Sequence, residues 1–230
     1  MFDRWRTILV PGGPRENGRG SGRAGTATAS ALARDGAVEM RHSNGLDQFF
    51  SSIEDRSDLS ILDFTGANQA NISFITSLGH RLYSDDILRS LDGAFGDGDF
   101  FANQSDPHRV EKFVQQSLEF PGHYFNGALV WDTLQFLSAP LLHYTVDRLH
   151  EILQPDSYLL AFFHSDEKAG AIPVYSYRIA DAKTLRLTRR GQRAPAQFFN
   201  NRSLEKLFHK FTSVKFFLTR DHLREVIVKR

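Results

Sequence analysis

Leu59-Ser60-Ile61-Leu62-Asp63-Phe64-Thr65-Gly66 is the stretch on which the fold turns. Leu59 to Phe64 is a short apolar run that closes on Asp63 and a Thr-Gly turn. Ala70, Ile72, Phe74, Ile75 and Leu78 then continue with helical periodicity up to Gly79, which suits a helix C-cap. A strand, a tight turn and a helix in that order form the opening unit of an alternating α/β sheet.

The alternation persists on both sides of that unit. Upstream, Leu46, Phe49, Phe50 and Ile53 recur at helical spacing. Downstream, Arg81 to Ser84 reads as a strand stopped by Asp85-Asp86. Ile87 to Leu91 starts a helix that fails at Gly93, Gly96 and Gly98, leaving loop to about Pro107. Lys112 to Leu118 and Gly127 to Trp131 read as the next strands, and Leu141 to Leu153 as a helix. Tyr158 to His164 is a continuous apolar run of the kind a parallel sheet buries on both faces. Val174 to Ile179 and Thr184 to Thr188 alternate around Ala180-Lys183 as a hairpin. Ser203 caps a further helix, and Val214 to Leu218 and Leu223 to Val228 close the chain as two strands. The expected fold class is therefore α/β, doubly wound, with a mainly parallel seven-stranded sheet and an antiparallel last strand. Residues 1–36 are expected to form a flexible tail, because 11–36 are rich in Gly and Arg and carry too little apolar surface to offset ordering. Residues 37–230 make one domain, with a hairpin insertion at about 165–202.

Composition narrows the chemistry. At 230 residues, 41% hydrophobic and 24% charged, the chain has the make-up of an ordinary globular domain. It has no cysteine, which removes disulfide frameworks, cysteine-ligated metals and cysteine nucleophiles. The apolar run Thr7 to Val10 after Arg4 and Arg6 is too short for a signal-peptide core, and no window reaches the roughly 18 to 20 apolar residues of a spanning helix. A cytoplasmic protein without membrane contact is expected. Residues 37–164 hold 18 acidic and 7 basic residues, a balance of −11, whereas 165–230 hold 15 basic and 6 acidic, a balance of +9. Attraction between two parts of one domain or an anionic partner for the second part would each explain this split. The arginines of the tail have no aromatic neighbours to stack on bases, so nucleic acid is not an expected partner.

In a doubly wound sheet, ligands lie beyond the C-terminal strand ends. Three such ends are polar here: Asp63, Asp85-Asp86 and Trp131-Asp132-Thr133. Asp86 follows Asp63 by 23 residues, near the roughly 20-residue spacing at which a nucleotide-binding unit offers a carboxylate to ribose.

With Ile61-Leu62-Asp63, Gly79 to Asp86, Phe125 to Asp132 and Leu149 to Pro155 before Leu159-Leu160, the order resembles the successive motifs of class I S-adenosylmethionine-dependent methyltransferases of the type 11-like kind. The resemblance implies a Rossmann-like methyltransferase fold over residues 46–230 and S-adenosylmethionine as cofactor. It implies that Asp86 holds the ribose hydroxyls, that the turn 63–69 faces the methionine end, and that Gln116-Ser117 lie near adenine. The expected cofactor set is Asp63, Thr65, Gly66, Ala67, Asp85, Asp86, Gln116, Ser117, Trp131 and Asp132. The family's turn carries glycines where this chain has Thr65, Ala67 and Gln69, and its usual acidic residue at the third strand is Gln116 here. Asp156-Ser157 stands where a glycine pair is common. The resemblance therefore leaves two functions open: a methyltransferase acting on an unknown small or macromolecular acceptor, or a methyltransferase-like binding or regulatory protein without transfer activity. A nicotinamide dehydrogenase is a weaker third, since G-x-G-x-x-G is absent. His164 and His123 are candidate bases. Tyr175, Tyr177, Arg178, Arg186, Arg189, Arg190 and Arg193 lie where such enzymes carry recognition insertions, and could clamp an anionic acceptor.

Overall fold

The computed structural model describes Arg6–Thr7, residues 36–219 and residues 222–230. Of the expected tail, 1–36, only Arg6–Thr7 and Gly36 are among the described residues, and Arg6–Thr7 pairs as a strand with Tyr83 and Ser84 rather than belonging to a loose tail.

In chain order the elements are β1 (Arg6–Thr7), β2 (Val38–His42), α1 (Asn44–Ser51), β3 (Ser60–Asp63), α2 (Gln69–Ser77), β4 (Arg81–Ser84), α3 (Ile87–Phe95), α4 (Phe100–Asn103), α5 (Pro107–Ser117) and β5 (Phe125–Trp131). A 3-10 turn (Thr133–Phe136) follows, then α6 (Ala139–Ile152), β6 (Leu153–His164), β7 (Ile172–Asp181), β8 (Thr184–Arg193), α7 (Asn201–Leu207), β9 (Ser213–Phe217) and β10 (Leu223–Lys229). The main sheet has seven strands in the order β1-β4-β3-β5-β6-β10-β9. β4, β3, β5 and β6 run parallel, and β10 lies antiparallel between β6 and β9. This is the mainly parallel α/β sheet with an antiparallel last strand that the sequence pattern implies. From β3 the chain runs to β4 on one side and returns to β5 on the other, so the topological switch point lies between the ends of β3 and β5.

Several boundaries differ from the sequence reading. Lys112 to Leu118 is not a strand: Lys112 to Ser117 belong to α5 and Leu118 is its C-cap; Asp106 caps the helix, Pro107 opens it, and Val110, Phe113, Val114 and Ser117 are buried at helical spacing. The apolar pair Phe113-Val114 mimics a strand only when the flanking period is ignored. The seventh strand is instead β1, antiparallel to β4. α3 passes through Gly93, which weakens a helix without breaking it. Asn200, not Ser203, caps α7; Ser203 forms the other half of a capping box.

A second sheet, β2-β8-β7, is antiparallel throughout. It is tied to the main sheet by charge. Arg41 on β2 sends Nη2 to Glu225 Oε1 at 3.3 Å and to the Leu223 carbonyl on β10. Glu225 is fully buried and also accepts from Gly45 N at 2.6 Å and Ser43 Oγ at 3.0 Å, so its charge lies at the positive end of α1. α1 packs closely enough that a Cβ on Gly127 of β5 would fall 2.7 Å from Phe49 Cζ.

Replacing Glu225 by Ala leaves a buried guanidinium and the α1 amide without their acceptor. A loss of about 3 to 5 kcal/mol in urea unfolding is expected. A loss under about 1 kcal/mol would mean that the two sheets are not coupled through this carboxylate.

Candidate functional site

Asp63 ends β3 with no solvent exposure and is surrounded by donors. Oδ1 accepts from Trp131 Nε1 at 2.7 Å, Thr65 N at 3.0 Å and Thr65 Oγ1 at 2.9 Å, while Oδ2 accepts from Asn71 Nδ2 at 2.9 Å. Burial pushes its carboxyl above the ordinary range, and the donors of Asn71, Trp131 and Thr65 oppose that. The indole reaches Asp63 because β5 bulges: the register with β6 shifts between Leu129 and Trp131, and Trp131 takes a left-handed φ of 55°.

Asn71 also clasps the second sheet, donating to the Tyr177 carbonyl at 3.2 Å and accepting from Ile179 N at 2.8 Å. The Tyr177 ring then stacks on Trp131, centroids 4.9 Å apart and 10° from parallel. Both rings are buried. Asp63, Thr65, Trp131, Asn71 and Tyr177 therefore fill the crevice at the switch point.

Beside them lies a buried polar group at the ends of β5 and β6. Asp132 is 2% exposed, and burial pushes its carboxyl up to about 7, against the Tyr177 hydroxyl, backbone donors and the Arg190 charge. Burial, then Asp132, pushes the Tyr177 hydroxyl well above its ordinary value. The two groups lie close enough to shift each other's ionisation, yet neither Asp132 Oδ2 nor the Tyr177 hydroxyl has an aligned hydrogen-bond partner. His164 ends β6 with Nε2 also unpartnered, and burial, reinforced by Arg41 and His222, pulls its imidazole down to about 4. It is a neutral histidine at pH 7. His123 lies elsewhere, with its Nδ1 2.8 Å from Arg230 Nη1.

The open cavity, about 920 Å3, lies one strand over, around the end of β4. It gathers five of the expected cofactor residues: Gly66, Ala67, Asp85, Asp86 and Gln116. Asp63, Thr65, Ser117, Trp131 and Asp132 do not line it; Ser117 is buried within α5. Gln116 lies in the last turn of a helix rather than after a strand. Gly66 adopts φ 78°, and a Cβ there would lie 3.0 Å from Asp86 Cβ, so the glycine is required by Asp86 itself. Asp86 caps α3 through Oδ1 to Arg89 N at 3.1 Å, and its Oδ2 meets Arg190 Nη2 of β8 at 3.0 Å. Asp85 accepts from Ser90 Oγ at 3.3 Å. Arg193 pairs with Asp92 and lies 5.0 Å from the Phe100 ring centroid. The hairpin arginines thus cross the cavity rim to α3. Asn71 and Tyr177, which organise the crevice, were not in the expected cofactor set; a polar residue two turns past Asp63 gave no sign of its long-range partners.

No protein-family model and no curated protein matches the sequence. Solved structures resemble it distantly. One is the 1,6-didemethyltoxoflavin-N1-methyltransferase of Burkholderia thailandensis, crystallised with 1,6-didemethyltoxoflavin and S-adenosylhomocysteine; it is 14% identical, covers 81% of this chain and 76% of its own, and scores a TM of 0.45. A putative type 11 methyltransferase of Sulfolobus solfataricus is 12% identical, covers 83% and 94%, and scores 0.45. The [4+2]-cyclase SpnF is 11% identical, covers 80% and 78%, and scores 0.44. Likeness at this level does not select an activity.

The buried Asp132 sets a pH dependence. Its carboxyl is raised in the folded state from 3.8 to about 7, so the folded chain retains a proton that the unfolded chain loses. That contribution is complete below about pH 4 and is lost as pH rises through about 7. Asp132→Asn should therefore gain stability over the native protein between those limits, by up to about 4 kcal/mol. Urea unfolding across pH 4 to 8 measures it. A difference that does not grow with pH would contradict the buried, protonated carboxyl.

Proposed function

We propose that the protein is an S-adenosylmethionine-dependent methyltransferase whose cavity at the end of β4 receives the adenosine part of the cofactor. The observation that carries this reading is the juxtaposition of Asp86, 23 residues beyond Asp63, with the left-handed turn at Gly66 on one cavity wall. A carboxylate at the end of the second parallel strand is positioned to accept from ribose hydroxyls. Gln116, on the same cavity, offers an amide to adenine. Methyl transfer to a nucleophilic atom requires chiefly proximity and alignment, so it needs neither a metal nor a catalytic triad. The residues proposed to touch cofactor are Gly66, Ala67, Asp85, Asp86 and Gln116. In this reading Thr65, Asp63 and Trp131 shape the turn from inside, and Ser117 only supports α5. Residues 37–230 form the working domain, with 165–202 as its insertion, acting in the cytoplasm on an anionic acceptor. No helix among the described residues is long and apolar enough to cross a membrane, and the lack of cysteine suits a reducing compartment.

A second reading is favoured by the Trp131–Tyr177 stack. It occupies the crevice where the methionine end would lie, so a protein that keeps this stack would bind a nucleoside without transferring a methyl group.

Titration separates the readings. Asp86→Asn keeps a cap for α3 but removes the charged acceptor, and should weaken S-adenosylhomocysteine by about tenfold or more. Arg190→Ala frees Asp86 and should tighten it. Transfer of a labelled methyl group supports the enzyme; binding without transfer supports the second reading; no binding by native protein or by Arg190→Ala rejects both.

A further inference from the structure

Within residues 37–164 the charge balance is −11, and only seven residues are basic. Three of them, Arg89, Arg109 and Lys112, line the cavity at the end of β4. Arg41, Arg81 and Arg148 of the same region pair with Glu225, Asp58 and Glu151. Arg89, Arg109 and Lys112 make no ion pair among the described residues, although Asp85, Asp86 and Asp97 line the same cavity.

Their positions oppose helix stability. Asp86-Ile87-Leu88-Arg89 opens α3 and Asp106-Pro107-His108-Arg109 opens α5, each with Asp as cap and Arg three residues later. A capping box would place Glu or Gln at that third position, and the positive end of the helix dipole disfavours a cation there. Both arginines nevertheless line the same cavity. Lys112 stands one turn beyond Arg109, on the same side of α5. Asp85, Asp86 and Asp97 also face the space, but Asp86 is already bridged by Arg190.

We propose that this cavity takes a phosphorylated nucleoside, its ribose toward Asp86 and its phosphate held by Arg89, Arg109 and Lys112, and that such a nucleotide competes with the cofactor. The proposal rests on the reading of the cavity as a nucleoside site. Two guanidinium groups and an ammonium line one space, a set of donors suited to the oxygens of a phosphate monoester. S-adenosylmethionine carries no phosphate; at the same 5′ position it bears a sulfonium cation and a single carboxylate, which match three cations less well.

The test is calorimetric titration of the full chain with adenosine, adenosine 5′-monophosphate and inorganic phosphate at low ionic strength. The monophosphate should bind about tenfold more tightly than adenosine, with the advantage shrinking as salt rises. Arg109→Ala combined with Lys112→Ala should abolish that advantage and leave adenosine affinity unchanged; both side chains lie at the protein surface, and an unchanged thermal midpoint would establish that the variant folds. Adenosine and its monophosphate binding equally would overturn the inference while leaving the cofactor reading intact. Monophosphate binding that the double variant loses, without adenosine or cofactor binding, would support the phosphate site and remove the cofactor reading. An advantage that survives the double variant, or inorganic phosphate binding as tightly as the nucleotide, would overturn the proposal.

Discussion

The carboxylate of Asp63 is the interaction on which the working end of the molecule depends. It sits at the end of the first parallel strand, out of contact with solvent, and takes donors from the turn that follows, from the indole at the end of β5 and from the first turns of α2. A buried carboxylate without donors would cost several kcal/mol. Satisfied this way, it fixes three chain segments to one point. Asn71 extends the same network to β7 by using both ends of its amide, so the second sheet is docked by hydrogen bonds that begin at Asp63.

This network has a functional consequence. In open α/β sheets the ligand crevice lies at the switch point, here between β3 and β5. Trp131 and Tyr177 fill it, and the accessible space is displaced toward β4, α3 and α5. The accessible cavity carries Asp85, Asp86 and Asp97 together with Arg89, Arg109 and Lys112, while the crevice holds buried titratable groups, Asp132, Tyr177 and His164, with unsatisfied polar atoms. Arg190 links the two by holding Asp86, so any ligand that needs this carboxylate must displace the guanidinium or share it.

The sheet was legible because its strands carry local signals. Ile61-Leu62-Asp63, Gly127 to Trp131 and the run ending at His164 are apolar, short and polar-ended, and each forms a parallel strand. Lys112 to Leu118 differs because Phe113 and Val114 give a local β-like pair, whereas the cap at Asp106 and Pro107 sets a helix whose period runs the length of α5. β2 and the start of β6 carry no such signal: Val38 and Met40 are exposed, and Gln154-Pro155-Asp156 is two polar residues around a proline, so no apolar pattern marks them. At the site, Asp85, Asp86 and Gly66 were legible from spacing and turn chemistry. Asn71 and Tyr177 were not assigned to the crevice, because their partners lie 106 and 108 residues apart in sequence for Asn71 and across two sheets for the Trp131–Tyr177 stack. The double Asp-x-x-Arg pattern was visible in the sequence, but it acquires meaning only when α3 and α5 face one space.

The most direct test is a crystal structure of the protein with S-adenosylhomocysteine. The account predicts adenosine in the cavity bounded by α3 and α5, its ribose hydroxyls within hydrogen-bond distance of Asp86, and Arg190 moved from that carboxylate or sharing it. Ligand bound between β3 and β5 with Trp131 and Tyr177 unstacked, and no contact to Asp86, would contradict it.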